Sequence, residues 1–385
     1  MGSGCCSCPP PMTSEHFLAA LDQGLANQQR SLPSWVVTAE AAADRFLAGG
    51  RLMVGGPAPS FEGEISWRAG GLMPLTSLAS AESPGMGDAA LLGYSGPEVP
   101  DPELARGLTA AGTITIGFGS GQQLPAVRRA CARWIDSGNQ AGPSDPPVAG
   151  ILDVAAVWSF VGEFVGACLR RGAMPTMFQS IVVTGADVRN NRYIGTRLHD
   201  DMHPGPVDPG ALGLAYLAAL RRYLEGFQAT ERERLAQAAD EVRRTRERGN
   251  RAWFLMAGGH LPANVLGLPA GPPQLETLAH PANADGIEAA GLRPGDFVYM
   301  QGYTWPPHEV ADAVHATGGR LCVAMAGHGD QPAPQGAADI VLDAQWKYGD
   351  AAVTVPGYDI PFLAPSGFLN AAIYWSLVLA ALPVT

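Results

Sequence analysis

The sequence predicts an α/β protein built from two doubly wound lobes, each formed around a parallel sheet. The segments LTAAGTITIGFGSG at 108–121 and LRPGDFVYMQGYT at 292–304 contain apolar stretches typical of strands that are buried on both faces. Helix-like segments separate such strands, most clearly over 211–248, where apolar residues recur at helical spacing. The chain also repeats itself, because GILDVAAVWSF from Gly150 follows the same pattern as GFLNAAIYWSL from Gly367.

Each half is predicted to follow the same order of elements. A helix leads into a strand that ends in a glycine turn, at 46–57 and again at 246–260, and the two strand segments quoted above are the next matching pair. Each half then closes with an apolar helix. The pattern predicts two flavodoxin-like lobes related by a pseudo-twofold axis, with Trp158 and Trp375 on equivalent helices.

The two halves differ in the number of strand signals. The second half has further strand-like segments at 320–327 and 338–343. The first half leads instead from a predicted helix near 124–136 directly towards its last helix. The first lobe is therefore expected to be trimmed.

The domain boundaries follow from composition. Residues 1–14, which include Cys5, Cys6 and Cys8, are predicted to be a flexible N-terminus, since the cysteines lack a second ligand pair for a metal. The first lobe is predicted over 15–200 and the second over 211–385, joined by a Pro/Gly-rich linker around 199–210.

Charge and hydropathy exclude several classes of partner. The formal net charge of −11 provides no basic field to attract nucleic acid or an anionic membrane. No apolar run reaches the roughly 18 residues of a membrane span; the segment 368–384 comes closest, and Asn370 interrupts it. The chain is expected to be cytoplasmic, to bind a small molecule, and to need no cofactor.

The stretch PSFEGEISWRAGGLMPL (59–75) carries a family resemblance. It resembles the start of SIS (sugar isomerase) domains, in a branch with a Gly-His-Ser turn, a helix bearing a glutamate, and Arg-Ala-Gly-Gly-Leu. The closing part of the second half, 338–378, is similar to the end of the same domain. The resemblance implies phosphosugar binding, often with aldose–ketose isomerisation, at a site between the two lobes. It leaves a homodimer open.

The predicted phosphate loops depart from the SIS pattern, which presents several hydroxyls to the phosphate. QGYTWPP offers two hydroxyls, and its prolines remove amide donors. FGSGQQLP offers one hydroxyl beside two glutamines. The substrate is therefore a sugar or a sugar phosphate. The residues predicted to bind it are Ser120, Gln122, Gln123, Gln301, Tyr303, Thr304, His328 and Arg68.

Sugar isomerisation needs a base that moves a proton between adjacent carbons and a donor that opens the ring. Glu64 is the predicted base, with Glu62 behind it, although a carboxylate at a helix start also interacts with the helix dipole. His260 follows a glycine pair and faces a ligand or has a structural role. Lys347 is the only lysine in the sequence, and it either supplies an ammonium group or lies on the surface. Arg68 binds an anion or pins the glycine turn.

HDDMH suggests a second kind of site. His199, Asp200, Asp201 and His203 are all metal-ligand types, but Pro204 ends any helix there and polar residues are expected before a linker. No metal is predicted.

The preferred function is a sugar or sugar-phosphate isomerase with a composite site between two SIS lobes. A non-catalytic sugar-metabolite binding protein, acting as a sensor or scaffold, is the alternative, and a lyase or etherase of the same fold uses the same base. The sequence does not decide whether the protein is an enzyme.

Overall fold

The computed structural model describes residues 12–57, 59–94, 101–138, 148–257, 275–278, 283–302, 308–327 and 338–382. The helices there are α1 (Ser14–Leu47), α2 (Pro59–Ile65), α3 (Glu103–Ala110), α4 (Pro125–Ala130), α5 (Val148–Leu169), α6 (Ala186–Tyr193), α7 (Ala211–Thr230), α8 (Arg232–Glu247), α9 (Ala284–Ala289), α10 (His308–Ala316) and α11 (Ser366–Ala380). The strands are β1 (Leu52–Gly55), β2 (Leu75–Ser77), β3 (Ala89–Gly93), β4 (Ile114–Gly119), β5 (Arg133–Asp136), β6 (Ala252–Ala257), β7 (Glu276–Thr277), β8 (Phe297–Gly302), β9 (Arg320–Gly327) and β10 (Ile340–Lys347).

The strands form two parallel sheets with the same order. The first is β2-β1-β3-β4-β5 and the second is β7-β6-β8-β9-β10. All of the pairings within these sheets are parallel. This order is the flavodoxin-like one, in which strand order reverses beside the first strand. The predicted fold class, two doubly wound parallel sheets, is confirmed.

Two details of the sequence interpretation are wrong. The segment 124–136 is not one helix but contains α4 and then β5, so the first sheet has five strands and is not trimmed in strand number. β5 lies at the sheet edge and is largely half-buried or exposed. An edge strand therefore lacks the continuous apolar run that marks a central one.

The predicted correspondence between segments 108–121 and 292–304 is also wrong by one strand. In the sheet order, the counterpart of β8 is β3, and β4 corresponds to β9. β3 was missed because its sequence, AALLG, is short and rich in alanine. The loop that corresponds to the one after β8 is therefore the loop after β3, not Ser120–Gln123.

The same pattern of aspartate hydrogen bonds occurs in both lobes, at the Gly-Asp pairs that precede β3 and β8. Asp88 Oδ1 accepts a hydrogen bond from the backbone N–H of Arg51 at 2.8 Å, and Asp296 Oδ1 accepts one from the N–H of Arg251 at 3.0 Å. The second oxygen of each aspartate accepts the N–H three residues upstream. Each aspartate thus fixes the start of its strand against the start of the neighbouring strand.

The apolar helices α5 and α11 follow the fifth strand of each sheet and contain Trp158 and Trp375, as predicted. Both tryptophans are fully buried. The expectation that 368–384 comes closest to a membrane span is wrong, because α5, with 22 residues, is long and apolar enough to cross a membrane. In this structure 94% of its apolar window is buried inside the protein, which is how the core helix of a globular fold behaves.

The long helix α1 joins the two halves of the core. It packs against α5 of the first half and against α7 and α11 of the second. A single cluster of buried apolar residues runs through these helices and includes Phe17, Phe160, Tyr216 and Trp375. The two sheets therefore share one helical core.

Candidate functional site

Several predicted site residues lie outside the part of the chain that the structure describes. They are His260, Tyr303, Thr304 and His328, together with the cysteines at positions 5, 6 and 8. Their placement stays a prediction, as does the composite site between the two lobes.

Glu64 lies on α2, just after β1, and is fully buried. Its Oε1 accepts a hydrogen bond from Trp158 Nε1 at 3.0 Å, and its Oε2 forms an ion pair with Arg68 Nη1 at 3.1 Å. Glu64 and Arg68 are four residues apart in sequence, so this ion pair lies entirely within the first half of the chain. Trp158, which lies on the core helix α5, holds the other carboxylate oxygen, Oε1, by its hydrogen bond.

Arg68 connects this carboxylate to the second half of the protein. Its Nη2 contacts Asp350 Oδ2 at 3.3 Å and Ser366 Oγ at 2.9 Å. Asp350 in turn accepts the backbone N–H of Ser366 at 3.0 Å, at the N-terminal end of α11. Arg68 is 6% exposed. Its guanidinium therefore faces protein carboxylates on two sides.

Gly367 shows how tightly α11 closes over Glu64. A Cβ added at Gly367 would lie 2.1 Å from Glu64 Oε1. No side chain larger than hydrogen fits there without moving the carboxylate. We name the buried set of Glu64, Arg68, Trp158, Asp350 and Ser366 the Arg68 network.

Backbone strain is concentrated around the Arg68 network. Trp67, Asp350 and Leu363 adopt left-handed φ values of 55°, 50° and 65°, which bulky residues rarely adopt. Gly70 also has a positive φ of 70°, and a Cβ there would lie 2.9 Å from the nitrogen of Leu363. Trp67 is 74% exposed and packs one side against Phe178.

Burial raises the pKa of Glu64 above its ordinary value, and this effect outweighs Arg68 and the Trp158 hydrogen bond, which lower it. Asp350 adds a second negative charge on the same guanidinium. Two buried carboxylates therefore share one cation. Tyr216, whose hydroxyl donates to the Ala364 carbonyl at 2.8 Å, lies within the same electrostatic environment, and burial raises its pKa as well.

Three other predicted residues occupy different environments. Gln301 is fully buried at the end of β8 and donates from Nε2 to the Asn370 carbonyl at 2.9 Å, so it holds α11 against the sheet. Lys347 is exposed at the end of β10. Glu62 is half-buried on α2, on a different side of the helix from Glu64.

Ser120 and Gln122 line a polar groove of about 230 Å³ between α1 and the loops that follow β4 and β5. Sequence reasoning missed its other lining residues, which are Asn27, Arg30, Ser31, Asp136 and Gly138. The three on α1 are distant in sequence from the loops, and ordinary helix-surface residues give no signal of a ligand. Gln123 is exposed and is not among the lining residues.

Asp136 shapes this groove. Its Oδ2 accepts the backbone N–H of Gly121 at 3.0 Å, and its Oδ1 accepts the N–H of Gly138 at 2.9 Å. One carboxylate thereby ties together the two loops at the carboxyl end of the sheet, the edge where open α/β sheets bind ligands.

Side chains of the HDDMH segment form hydrogen bonds within the protein. The ring nitrogens of His199 contact Asp201 at 3.3 Å and the Tyr358 hydroxyl at 3.2 Å. Asp201 also binds Arg192 and Tyr193, each at 2.7 Å. Among the residues that the structure describes, no group of three His, Cys, Asp or Glu side chains is placed to hold a metal.

Comparison with solved structures finds chains with a similar fold. A candidate phosphosugar isomerase from Silicibacter pomeroyi DSS-3 is similar with a TM-score of 0.53 and 13% identity, over 96% of this chain and 98% of that one. The C-terminal domain of glucosamine-fructose-6-phosphate aminotransferase from Francisella tularensis gives a TM-score of 0.49 and 11% identity, over 95% and 96% of the chains. A candidate sugar-binding protein from Salmonella typhimurium LT2 gives 0.47 and 11%, over 95% and 99%.

No family sequence model matches the chain, and no curated protein sequence matches it. At 13% identity, the similarity to the Silicibacter protein is one of fold. The chain thus shares a two-sheet α/β fold with the Silicibacter protein.

Proposed function

We propose that this protein binds a sugar or sugar phosphate without using Glu64 as an isomerisation base. The burial of Glu64 carries the proposal. A base must come within hydrogen-bond distance of the proton that it removes. Glu64 is 0% exposed, and Trp158, Arg68 and Gly367 close around its carboxylate.

The ligand class is supported by the fold. The Silicibacter protein, which carries the name of a phosphosugar isomerase, is similar over nearly the full length of both chains. Ligands of doubly wound sheets bind at the carboxyl ends of the strands. The groove that contains Ser120 and Gln122 lies at that edge. The predicted loops are poor in hydroxyls, so we expect a dissociation constant of about 1 mM, or roughly −4 kcal/mol.

The test combines binding with proton exchange. Glucose, fructose 6-phosphate and glucosamine 6-phosphate are added to the full chain, and the melting temperature is measured. A ligand at 100 times its dissociation constant stabilises the native state by about 2.7 kcal/mol. The same sugars are incubated with the protein in D₂O, and deuterium at C2 is followed by NMR. We expect thermal stabilisation by at least one sugar and no deuterium at C2.

Two results would overturn this proposal. One is the absence of stabilisation by every sugar and sugar phosphate. The other is deuterium incorporation that Glu64→Gln abolishes while the variant stays folded and still binds. In that case the helix α11 must open to admit substrate.

An isomerase that uses Glu62 is the second candidate. Glu62 is half-buried on α2 beside the end of β1, and it forms no ion pair with the residues that the structure describes. Exchange that is lost in Glu62→Gln and retained in Glu64→Gln would support this candidate. The two variants are matched, because both change one carboxylate of the same helix.

A further inference from the structure

The polar groove beside α1 has two walls. One wall is helical and carries Asn27, Arg30 and Ser31, which are spaced so that they share one face of α1. The other wall is the pair of loops that Asp136 ties together. A hydrogen bond joins the two walls, because Asn27 Nδ2 donates to the Gly138 carbonyl at 3.0 Å.

The side chains of the groove suit a polyhydroxylated ligand. A carboxylate has about four acceptor positions. The two backbone N–H groups on Asp136 occupy two of them. The others can accept sugar hydroxyls. Gln122 is exposed at the rim and offers both a donor and an acceptor.

Arg30 adds a positive charge. It is exposed, and its Nη2 donates to Asn27 Oδ1. Within the described ranges Arg30 forms no salt bridge with an acidic side chain. A guanidinium has five N–H donors in a fixed planar arrangement, which suits an anionic group.

Two buried polar atoms belong to residues that adjoin the groove lining in sequence. Among the described residues, Gln28 Oε1 and Ser137 Oγ have no hydrogen-bond partner, and both residues are 0% exposed. Gln28 follows Asn27 on α1, and Ser137 lies between Asp136 and Gly138. Gln28 Nε2 is satisfied by the carbonyls of Ser137 and Leu152, at 2.9 and 2.8 Å. Unsatisfied buried polar groups are uncommon in folded proteins, and each needs an explanation, such as a bound water molecule or a functional role.

The size of the groove limits the ligand. Pockets for drug-sized ligands are roughly 300–1,000 Å³. A groove of about 230 Å³ holds a single sugar ring rather than an oligosaccharide or a dinucleotide.

We propose that this groove binds a monosaccharide that carries one anionic group. Arg30 binds the anionic group, and Asp136, Asn27 and Gln122 bind the ring hydroxyls. This inference rests on the proposed function and adds the site and the charge of the ligand. The α1 wall makes the site part of the first half of the chain, and Glu64 is not among its lining residues.

The experiment measures dissociation constants by ligand-observed NMR for the full chain with glucose 6-phosphate, glucuronate, glucose and inorganic phosphate. Arg30→Gln is expected to weaken binding of both anionic sugars about tenfold, because it removes a charge-assisted hydrogen bond. It should leave glucose within twofold. Gln122→Ala is expected to weaken all three sugars about fivefold, as loss of one neutral hydrogen bond predicts.

Matched controls are Arg129→Gln, which removes an exposed arginine on α4, and Gln237→Ala, which changes an exposed glutamine on α8. Neither should alter any dissociation constant. All variants change exposed side chains, so the melting temperature without ligand should stay within the range of ordinary surface substitutions.

The outcomes separate this inference from the proposed function. Sugar binding that Arg30→Gln and Gln122→Ala leave unchanged overturns the groove and leaves the proposed function intact. No binding of any sugar by the wild type overturns both. Equal Arg30 dependence for inorganic phosphate and glucose 6-phosphate, with no effect of Gln122→Ala, overturns the monosaccharide assignment and leaves an anion site.

Discussion

Arg68 explains why an arginine and a glycine pair stand among apolar residues at 66–75. The guanidinium balances two buried carboxylates, Glu64 and Asp350, and Gly70 permits a backbone approach that a Cβ would prevent. The motif therefore combines a buried charge with a tight turn, and both serve the contact between the two halves of the protein.

Replacing Arg68 with methionine should destabilise the protein strongly. The substitution keeps an unbranched side chain but leaves two buried carboxylates without a cation. Removing one partner of a buried ion pair costs about 3–5 kcal/mol. Urea unfolding at pH 7 measures the loss. Arg129→Gln, at an exposed position, is the control and should change the free energy of unfolding by less than about 0.5 kcal/mol.

The loss in Arg68→Met should depend on pH. Burial already raises the pKa of Glu64, and removal of the adjacent cation raises it further. A carboxyl group whose folded pKa is above its unfolded pKa retains its contribution at low pH, and loses it as pH rises towards the folded pKa. The deficit should be smallest near pH 4.5, the ordinary pKa of a glutamate, and should grow up to pH 8. A deficit independent of pH would contradict the buried carboxylates as its cause.

At the scale of elements, the core helix α5 supplies a cap to a helix of the other half. Glu163 accepts the backbone N–H groups of Gly210 and Gly213, at 2.8 and 2.7 Å, at the N-terminal end of α7. A Cβ at Gly213 would lie 2.9 Å from Leu32 of α1. The helices α1, α5 and α7 therefore meet at one close contact.

Glu163→Ala should destabilise the protein by about 2–6 kcal/mol, because it leaves two buried N–H groups unpaired at roughly 1–3 kcal/mol each. Glu163→Gln keeps one acceptor oxygen and should cost about half as much. Guanidinium unfolding midpoints provide the measurement. Glu233→Ala, in the first turn of α8 and exposed, is the control. Equal losses of unfolding free energy in Glu163→Gln and Glu163→Ala would contradict this explanation, because the hydrogen bonds from Gly210 and Gly213 would then not account for the destabilisation.

At the scale of the whole molecule, the shared helical core couples the two sheets. α1 packs against α5, α7 and α11, and a single apolar cluster includes residues of both halves. Neither half can bury its helices alone. Cooperative unfolding of the whole chain follows from this arrangement, since separate domains need separate cores.

Calorimetry of the full chain should therefore show one transition with equal calorimetric and van't Hoff enthalpies. A fragment of residues 1–205 should expose the faces of α1 and α5 that the second half covers, and should bind a hydrophobic dye. Co-expression of 1–205 with 206–385 should restore a folded complex and is the control. Two resolved transitions, or a folded and monomeric fragment 1–205, would contradict a shared core.

The sequence by itself determined the fold class, the apolar helices that contain Trp158 and Trp375, and the resemblance of residues 59–75 to SIS domains. These features depend on local patterns, which are apolar runs, helical spacing and a glycine pair, and such patterns are visible in one stretch of chain. The edge strand β5 and the alanine-rich strand β3 were not predicted, because a short or half-exposed strand has no strong local pattern.

Only the tertiary structure decided how the described site residues are buried and which groups they contact. The burial of Glu64 depends on Trp158, Asp350 and Gly367, which lie far away in sequence. The groove depends on α1 meeting the loops after β4 and β5. The residues next to a carboxylate in the sequence do not show which distant segments will pack over it. Exposure and charge balance arise from contacts between distant segments, and those contacts exist only in the folded chain.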